Sequence, residues 1–120
     1  PDAGSTYILP RKIGMARAME LSMLGEKISA EKALSWGLIN FVYDQNDLLR
    51  ETMKTATEIA NGPTVAYKLM RNLYWKSLEN DFESQLDAES KAQTIAGKTE
   101  DCFNGVMSFL QKKKASFKGK

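Results

Sequence analysis

Arg11-Lys12-Ile13-Gly14-Met15-Ala16-Arg17-Ala18-Met19-Glu20-Leu21-Ser22-Met23-Leu24-Gly25 is built almost wholly from strong helix formers and ends on a glycine suited to the C′ position. It predicts a helix over about 11–24. Met15, Met19 and Met23 recur at i, i+4 and i+8, and Leu21 and Leu24 widen that apolar face, so most of the helix is expected to be covered. Core packing is the expected use of the methionine stripe, and a pliable binding surface is the alternative.

The same grammar repeats downstream. Ser29 reads as an N-cap with Glu31 in the first turn of a short helix stopped by Gly37. Asn46 or Asp47 opens a helix carrying Leu49, Met53, Ala56 and Ala60, and Pro63 suits the first position of the next, which carries Val65, Leu69 and Leu73. Asn80 or Asp81 opens another, closed by Gly97, and Thr99 caps the last, with Phe103, Val106, Met107 and Leu110 as its stripe. Only Leu38-Ile39-Asn40-Phe41-Val42-Tyr43 breaks the pattern: β-branched and aromatic between Gly37 and Asp44, it predicts a short strand. A lone strand needs partners, and no other segment supplies one. The expectation is a mainly α chain of five or six helices plus one short strand, its core sheet missing and its neighbouring helices packed as a layer.

Composition narrows the chemistry. The 120 residues are 42% hydrophobic and 27% charged, which suits a soluble globular unit with a modest core. Seventeen basic and fifteen acidic residues leave +2, too little to argue for nucleic-acid binding. Tyr74 and Trp75 beside Lys68, Arg71 and Lys76 offer stacking surfaces, yet Glu79, Asp81 and Glu83 follow at once. There is no histidine, so acid–base work falls to carboxylates or lysines. A lone Cys102 excludes an internal disulfide and makes a reducing, cytoplasmic setting the expectation. No apolar run reaches the roughly 20 residues of a membrane span. The opening on Pro1-Asp2, without Met or a signal pattern, gives the expectation of a start inside a longer protein.

Two places can carry chemistry. In Pro1-Asp2-Ala3-Gly4-Ser5-Thr6-Tyr7-Ile8-Leu9-Pro10, an acid sits between a fixed-φ proline and a small Ala-Gly pair, so a carboxylate is expected on a tight turn. Such an aspartate either caps a helix or closes an Asx-turn, or it shuttles a proton at carbon. At the other end, Lys112-Lys113-Lys114 with Lys118 and Lys120 load the C-terminal end of the last helix. They either complement the helix dipole or form a phosphate site, with Lys112 one turn below Phe109 and sharing its face.

The pattern as a whole resembles the carboxyl-terminal half of a crotonase-superfamily protein, the enoyl-CoA hydratase/isomerase family. The resemblance rests on Pro1-Asp2-Ala3-Gly4-Ser5-Thr6 with Leu9-Pro10-Arg11 and Gly14, on Ala16 through Gly25, on Ile28-Ser29-Ala30-Glu31-Lys32-Ala33 with Trp36-Gly37-Leu38-Ile39, and on Asn104-Gly105-Val106 with Phe109-Leu110 and Lys112-Lys113. It implies the helical layer of a spiral ββα fold. On this reading residues 1–10 are an active-site turn, residues 11–43 helices and a short strand, and residues 44–120 a helical trimerisation domain.

The resemblance also implies a function. Acyl-CoA thioester is the substrate, no resident cofactor or metal is needed, and two backbone N–H groups in the other half of the fold stabilise a thioester enolate. Hydratases similar to this chain have Gly at the second position of the Pro-x-x-Gly turn, whereas isomerases carry an acid there. Asp2 therefore resembles the isomerase acid–base, most nearly in the branch acting on ring-epoxidised aromatic acyl-CoA in phenylacetate degradation. An aryl-CoA dehalogenase also places Asp there, as nucleophile, so hydration and dehalogenation stay open, as does a helical oligomerisation module without activity. The resemblance further implies that Gly4, Tyr7 and Leu9 border the acyl pocket, that Phe109 and Lys112 contact the CoA nucleotide, and that the protein is a homotrimer or a dimer of trimers. No nucleic-acid or membrane partner is implied. Asn104 and Lys113 depart from the family's usual Glu and Arg. The 120 residues alone are expected to be inactive.

Overall fold

The computed structural model describes all 120 residues. It contains seven helices and no strand: α1 (Ser5–Ile13), α2 (Met15–Leu24), α3 (Ala30–Ser35), α4 (Leu48–Ala60), α5 (Thr64–Lys76), α6 (Phe82–Ala96) and α7 (Glu100–Leu110). The mainly α expectation holds. Internal contacts divide the chain into Pro1–Glu51 and Thr52–Lys120, with the division falling inside α4.

In the first unit, the single helix expected over 11–24 is two. Gly14, at φ 82° and ψ 157°, leaves helical geometry, closing α1 and opening α2. Only Pro1–Gly4 is turn, because the helix already begins at Ser5 and runs through Pro10. The N-cap reading of Ser29 holds: its Oγ accepts the Lys32 N–H at 3.1 Å. Lys32 also ties α3 to α2, with Nζ 3.5 Å from Glu20 Oε1 and 4.5 Å from the Trp36 ring centroid, above which Arg17 also lies.

The strand expected at Leu38–Tyr43 does not form. Its residues run irregularly, and the Phe41 and Tyr43 rings, two positions apart, stack at 6.0 Å instead of pairing across a ladder. β propensity is realised only when a second strand takes up the backbone N–H and C=O groups, and these 120 residues offer none. The methionine stripe is likewise uncovered: Met15, Met19 and Met23 are 64%, 46% and 73% exposed. The buried apolar side chains are only Ile13, Ala18, Ala33 and Ala92.

The second unit follows its capping signals. Asp81 Oδ1 accepts the Ser84 N–H at 2.7 Å to start α6, and Thr99 Oγ1 accepts the Cys102 N–H at 3.1 Å to start α7. Pro63 stands at the N-cap of α5, one place earlier than expected, and Thr64 is the first helical residue. Helices α5 and α6 pack together, joined by Gln85, which donates to the Leu73 carbonyl and accepts from Asn80.

After α7 the chain turns back. Residues Lys118–Lys120 lie beside Asp101 in the first turn of α7, not at its C-terminal end. Lys118 and Lys120 therefore cannot complement the C-terminal end of the helix dipole, which falls off within a turn.

Candidate active site

The two candidate regions belong to different units and each is built locally. At the first, Asp2 is followed by two left-handed residues, Ala3 at φ 48° and Gly4 at φ 82°, and the Ser5 N–H closes the turn on the Asp2 carbonyl at 2.8 Å. A positive φ costs a Cβ-bearing residue roughly 1–2 kcal/mol, so Ala3 is a strained position that the surrounding hydrogen bonds must hold. Gly4 then serves as N-cap of α1 through its carbonyl, which accepts the N–H groups of Tyr7 and Ile8 at 3.0 Å. Its need for glycine is conformational: a Cβ there would meet only Ile8 Cδ1, at 4.0 Å.

Asp2 is exposed, and no side chain caps α1. The helix-cap reading of Asp2 is therefore excluded; its neighbour Pro1, not Asp2 itself, lines a largely apolar cavity of about 300 Å³. Pro1, Ser5, Leu9, Pro10, Met15 and Met19 are among the lining residues.

Because residues 5–13 are helical, Tyr7 and Leu9 stand roughly 200° apart around the axis of α1. Leu9 lines the cavity. Tyr7 instead receives Arg11, whose guanidinium carbon is 3.7 Å from the ring centroid and whose Nη1 donates to the Tyr7 carbonyl at 3.0 Å. The sequence reading missed Ser5. Its Oγ is buried, lies beside the cavity, and has no hydrogen-bond partner. No sequence signal marks it, since a serine at a helix start is ordinarily a cap.

At the second region, α7 ends at Leu110 and Lys112 lies beyond it at φ 53°. The two residues thus do not share a helix face, as the spacing had suggested. They meet in a Schellman turn: the Lys112 N–H donates to the Phe109 carbonyl at 3.1 Å, and the Lys113 N–H to the Ser108 carbonyl at 2.9 Å. Glycine is the usual occupant of that left-handed position. Phe109, 82% exposed, and the exposed Lys112 thus flank one backbone bend. A groove of about 490 Å³ between α5 and α6, lined by Leu69, Leu73 and Ala92, holds none of the expected site residues. No three His, Cys, Asp or Glu side chains gather as a metal site, and no helix is long and apolar enough to cross a membrane.

The family signature described as enoyl-CoA hydratase/isomerase matches residues 1–120. The chain belongs to the enoyl-CoA hydratase/isomerase family. Among curated relatives it is 39% identical over 120 residues to the 1,2-epoxyphenylacetyl-CoA isomerase of Escherichia coli, covering 100% of this chain and 46% of that protein. It is 33% identical over 120 residues to the trans-2-decenoyl-[acyl-carrier-protein] isomerase of Streptococcus mutans, with 100% and 46% covered. Among solved structures, the enoyl-CoA hydratase of Bacillus anthracis superposes with a TM-score of 0.91 at 32% identity, covering 100% of this chain and 46% of that one. The enoyl-CoA hydratase/isomerase chain described here thus spans about half the length of the curated relatives it matches. Its helices correspond to the helical carboxyl-terminal part of the family's fold.

Proposed function

We propose that the whole protein is an acyl-CoA isomerase in which Asp2 moves a proton through a thioester-stabilised enolate. The reading rests on one observation above all: the Asp2 backbone is fixed by a strained left-handed turn, its exposed carboxylate caps nothing, and the residues around it in sequence, Pro1 and Ser5, line an apolar cavity. The Asp2 carboxylate takes a proton from a carbon activated by the thioester, the electron pair moves onto the thioester oxygen, and the same carboxyl returns the proton at another carbon. Net charge and atoms are conserved, so no cofactor or metal is required. The enolate oxygen needs preorganised N–H donors, which the family resemblance assigns to the half of the fold outside these residues. A carboxylate without them supplies only part of the barrier reduction, and we expect the 120 residues alone to be inactive.

Leu9, with Pro10, Met15 and Met19, would take the acyl chain. Gly4 sets the turn, whereas Tyr7, on the other side of α1 with Arg11, does not border this cavity. Phe109 and Lys112 would hold the CoA adenine and a phosphate. The acyl group is aromatic or fatty, and the reaction a double-bond or ring isomerisation.

Asp2→Asn in the whole protein tests this. The expected result is a kcat at least about 100-fold lower, the lower end of what general acid–base catalysis contributes, with KM for acyl-CoA changed only a few-fold. An unchanged kcat excludes Asp2 as the proton carrier. Running the reaction in oxygen-18 water separates isomerisation from hydration, because only hydration adds solvent oxygen to the product.

A second reading is favoured by α4. None of its residues is buried, and Leu49, Met53 and Ile59 are all exposed on it. A helix this amphipathic is stable only when covered, which supports packing between subunits in a cytoplasmic homotrimer or a dimer of trimers. Sedimentation equilibrium of the whole protein decides: a monomer rules assembly out.

A further inference from the structure

The tail after α7 retraces the helix. It leaves through the bend at Lys112, Phe117 packs against Gly105 in the middle of α7, and residues 118–120 arrive at the first turn. There Asp101, 2% exposed, takes two backbone hydrogen bonds on one carboxylate: Lys118 N–H to Oδ1 at 2.6 Å and Gly119 N–H to Oδ2 at 2.8 Å. Its own N–H donates to the Lys120 carbonyl at 3.1 Å. These three bonds are the ones that hold residues 114–120. Gly119, at φ 74°, sits so close to Thr64 at the start of α5 that a Cβ would stand 2.5 Å from Thr64 Oγ1. The tail is thus clasped at its far end by a buried charge and passes close against the Thr64 hydroxyl.

The consequence falls on Lys112. The segment joining it to the clasp is short and rich in lysine, with Lys113 and Lys114 next to Lys112 and Lys118 at the clasp itself. Mutual repulsion of these ammonium groups favours a splayed tail, and the left-handed backbone at Lys112 is itself a strained state. Two Schellman bonds secure one side of the bend, and Asp101 secures the other. We propose that Asp101 is a positioning residue for the nucleotide contact, holding the Lys118–Lys120 tail so that the bend presents Lys112 beside Phe109 to a CoA phosphate. The inference rests on the reading of Phe109 and Lys112 given under Proposed function. Asp101 touches no ligand itself. It acts through the backbone of the tail.

Calorimetric titration of the whole protein with coenzyme A tests this in four forms: parent, Asp101→Asn, Lys112→Ala and the double variant. Asp101→Asn is expected to weaken binding about tenfold, and the double variant to bind no worse than Lys112→Ala, because the two changes remove the same contact. Parent-like affinity in Asp101→Asn, or additive losses in the double variant, overturns the proposal. Unchanged affinity in Lys112→Ala would instead bring down the reading of Lys112 itself, and the proposal with it. Lys118→Pro, which removes one donor to Asp101 and leaves the carboxylate in place, serves if Asp101→Asn does not fold. Parent-like CoA affinity there also overturns the clasp. Turnover of an acyl-pantetheine thioester, which lacks the nucleotide, separates positioning from general damage. Its kcat/KM is expected to be unchanged in Asp101→Asn, and a loss equal to that for acyl-CoA overturns the positioning role.

Discussion

Ser5 donates its backbone N–H to the Asp2 carbonyl at 2.8 Å across Ala3 and Gly4, both of which have positive φ. The turn that aims Asp2 is therefore fixed by backbone conformation, and its two central residues should respond to substitution in opposite senses. Gly4→Ala is expected to destabilise by about 1 kcal/mol through φ alone, since its Cβ would meet nothing closer than 4.0 Å. Ala3→Gly relieves comparable strain and gains unfolded-state freedom, so it should fall within about 1 kcal/mol of the parent on the stabilising side. Urea denaturation midpoints check both. A destabilised Ala3→Gly would mean that the left-handed alanine is not strained.

Ser5 gives the second prediction. A buried hydroxyl with no partner loses its water and gains nothing, so Ser5→Ala should be neutral or stabilising by up to about 1 kcal/mol. If the hydroxyl instead meets substrate in the cavity it shares with Leu9, the same variant should raise KM for acyl-CoA several-fold while the melting temperature holds or rises. Measuring both on one variant tells a role toward substrate from a merely unpaired group.

The signals that were legible in the sequence were local ones. Ser29, Asp81 and Thr99 mark helix starts because a side-chain oxygen three residues before an N–H needs no distant partner to form its bond. What was illegible depended on groups remote in sequence. Leu38–Tyr43 has strand propensity with no strand to pair with, and the Met15–Met19–Met23 stripe has helical periodicity with no cover. Gly14 sits among helix formers that mask the break. Asp101 reads as one more acid in a first turn, and only a tail 17 residues away reveals why it is buried. At the candidate site, Asp2 was singled out through its neighbours Pro1 and Gly4, whereas the separation of Tyr7 from Leu9 follows from helix beginning at Ser5.

The caps carry a pH signature. The Ser84 N–H, and then the Ser84 side chain, hold the Asp81 carboxyl below its usual value near 3.8. The Glu31 carboxyl is held below 4.5 by its own backbone N–H and then by Ser29. A carboxyl that is more acidic folded than unfolded adds stability that is fully present above the unfolded value. That contribution is lost as pH falls through the folded one. Melting temperature should therefore decline from about pH 5 downward, and Asp81→Asn, which keeps a capping oxygen but cannot titrate, should flatten part of that decline while matching the parent near pH 7. An acid limb equally steep in Asp81→Asn would locate the effect elsewhere.

Lys112 sets stability against binding most directly. It occupies the left-handed C′ position of a Schellman turn, where glycine avoids the Cβ penalty, yet it carries an exposed side chain on the bend that follows the exposed Phe109. A lysine held there for its charge implies that Lys112→Gly raises stability by up to about 1 kcal/mol and lowers affinity for coenzyme A about tenfold, the 1.4 kcal/mol expected for one lost phosphate contact. Lys112→Ala, which keeps the strain and loses the charge, should lower the affinity equally without the gain in stability. The two variants together separate backbone from ammonium. Equal CoA affinity in parent and Lys112→Gly would show that the lysine is not kept for the ligand, and a lower melting temperature in Lys112→Gly would show that its left-handed backbone is not the cost that its φ of 53° indicates.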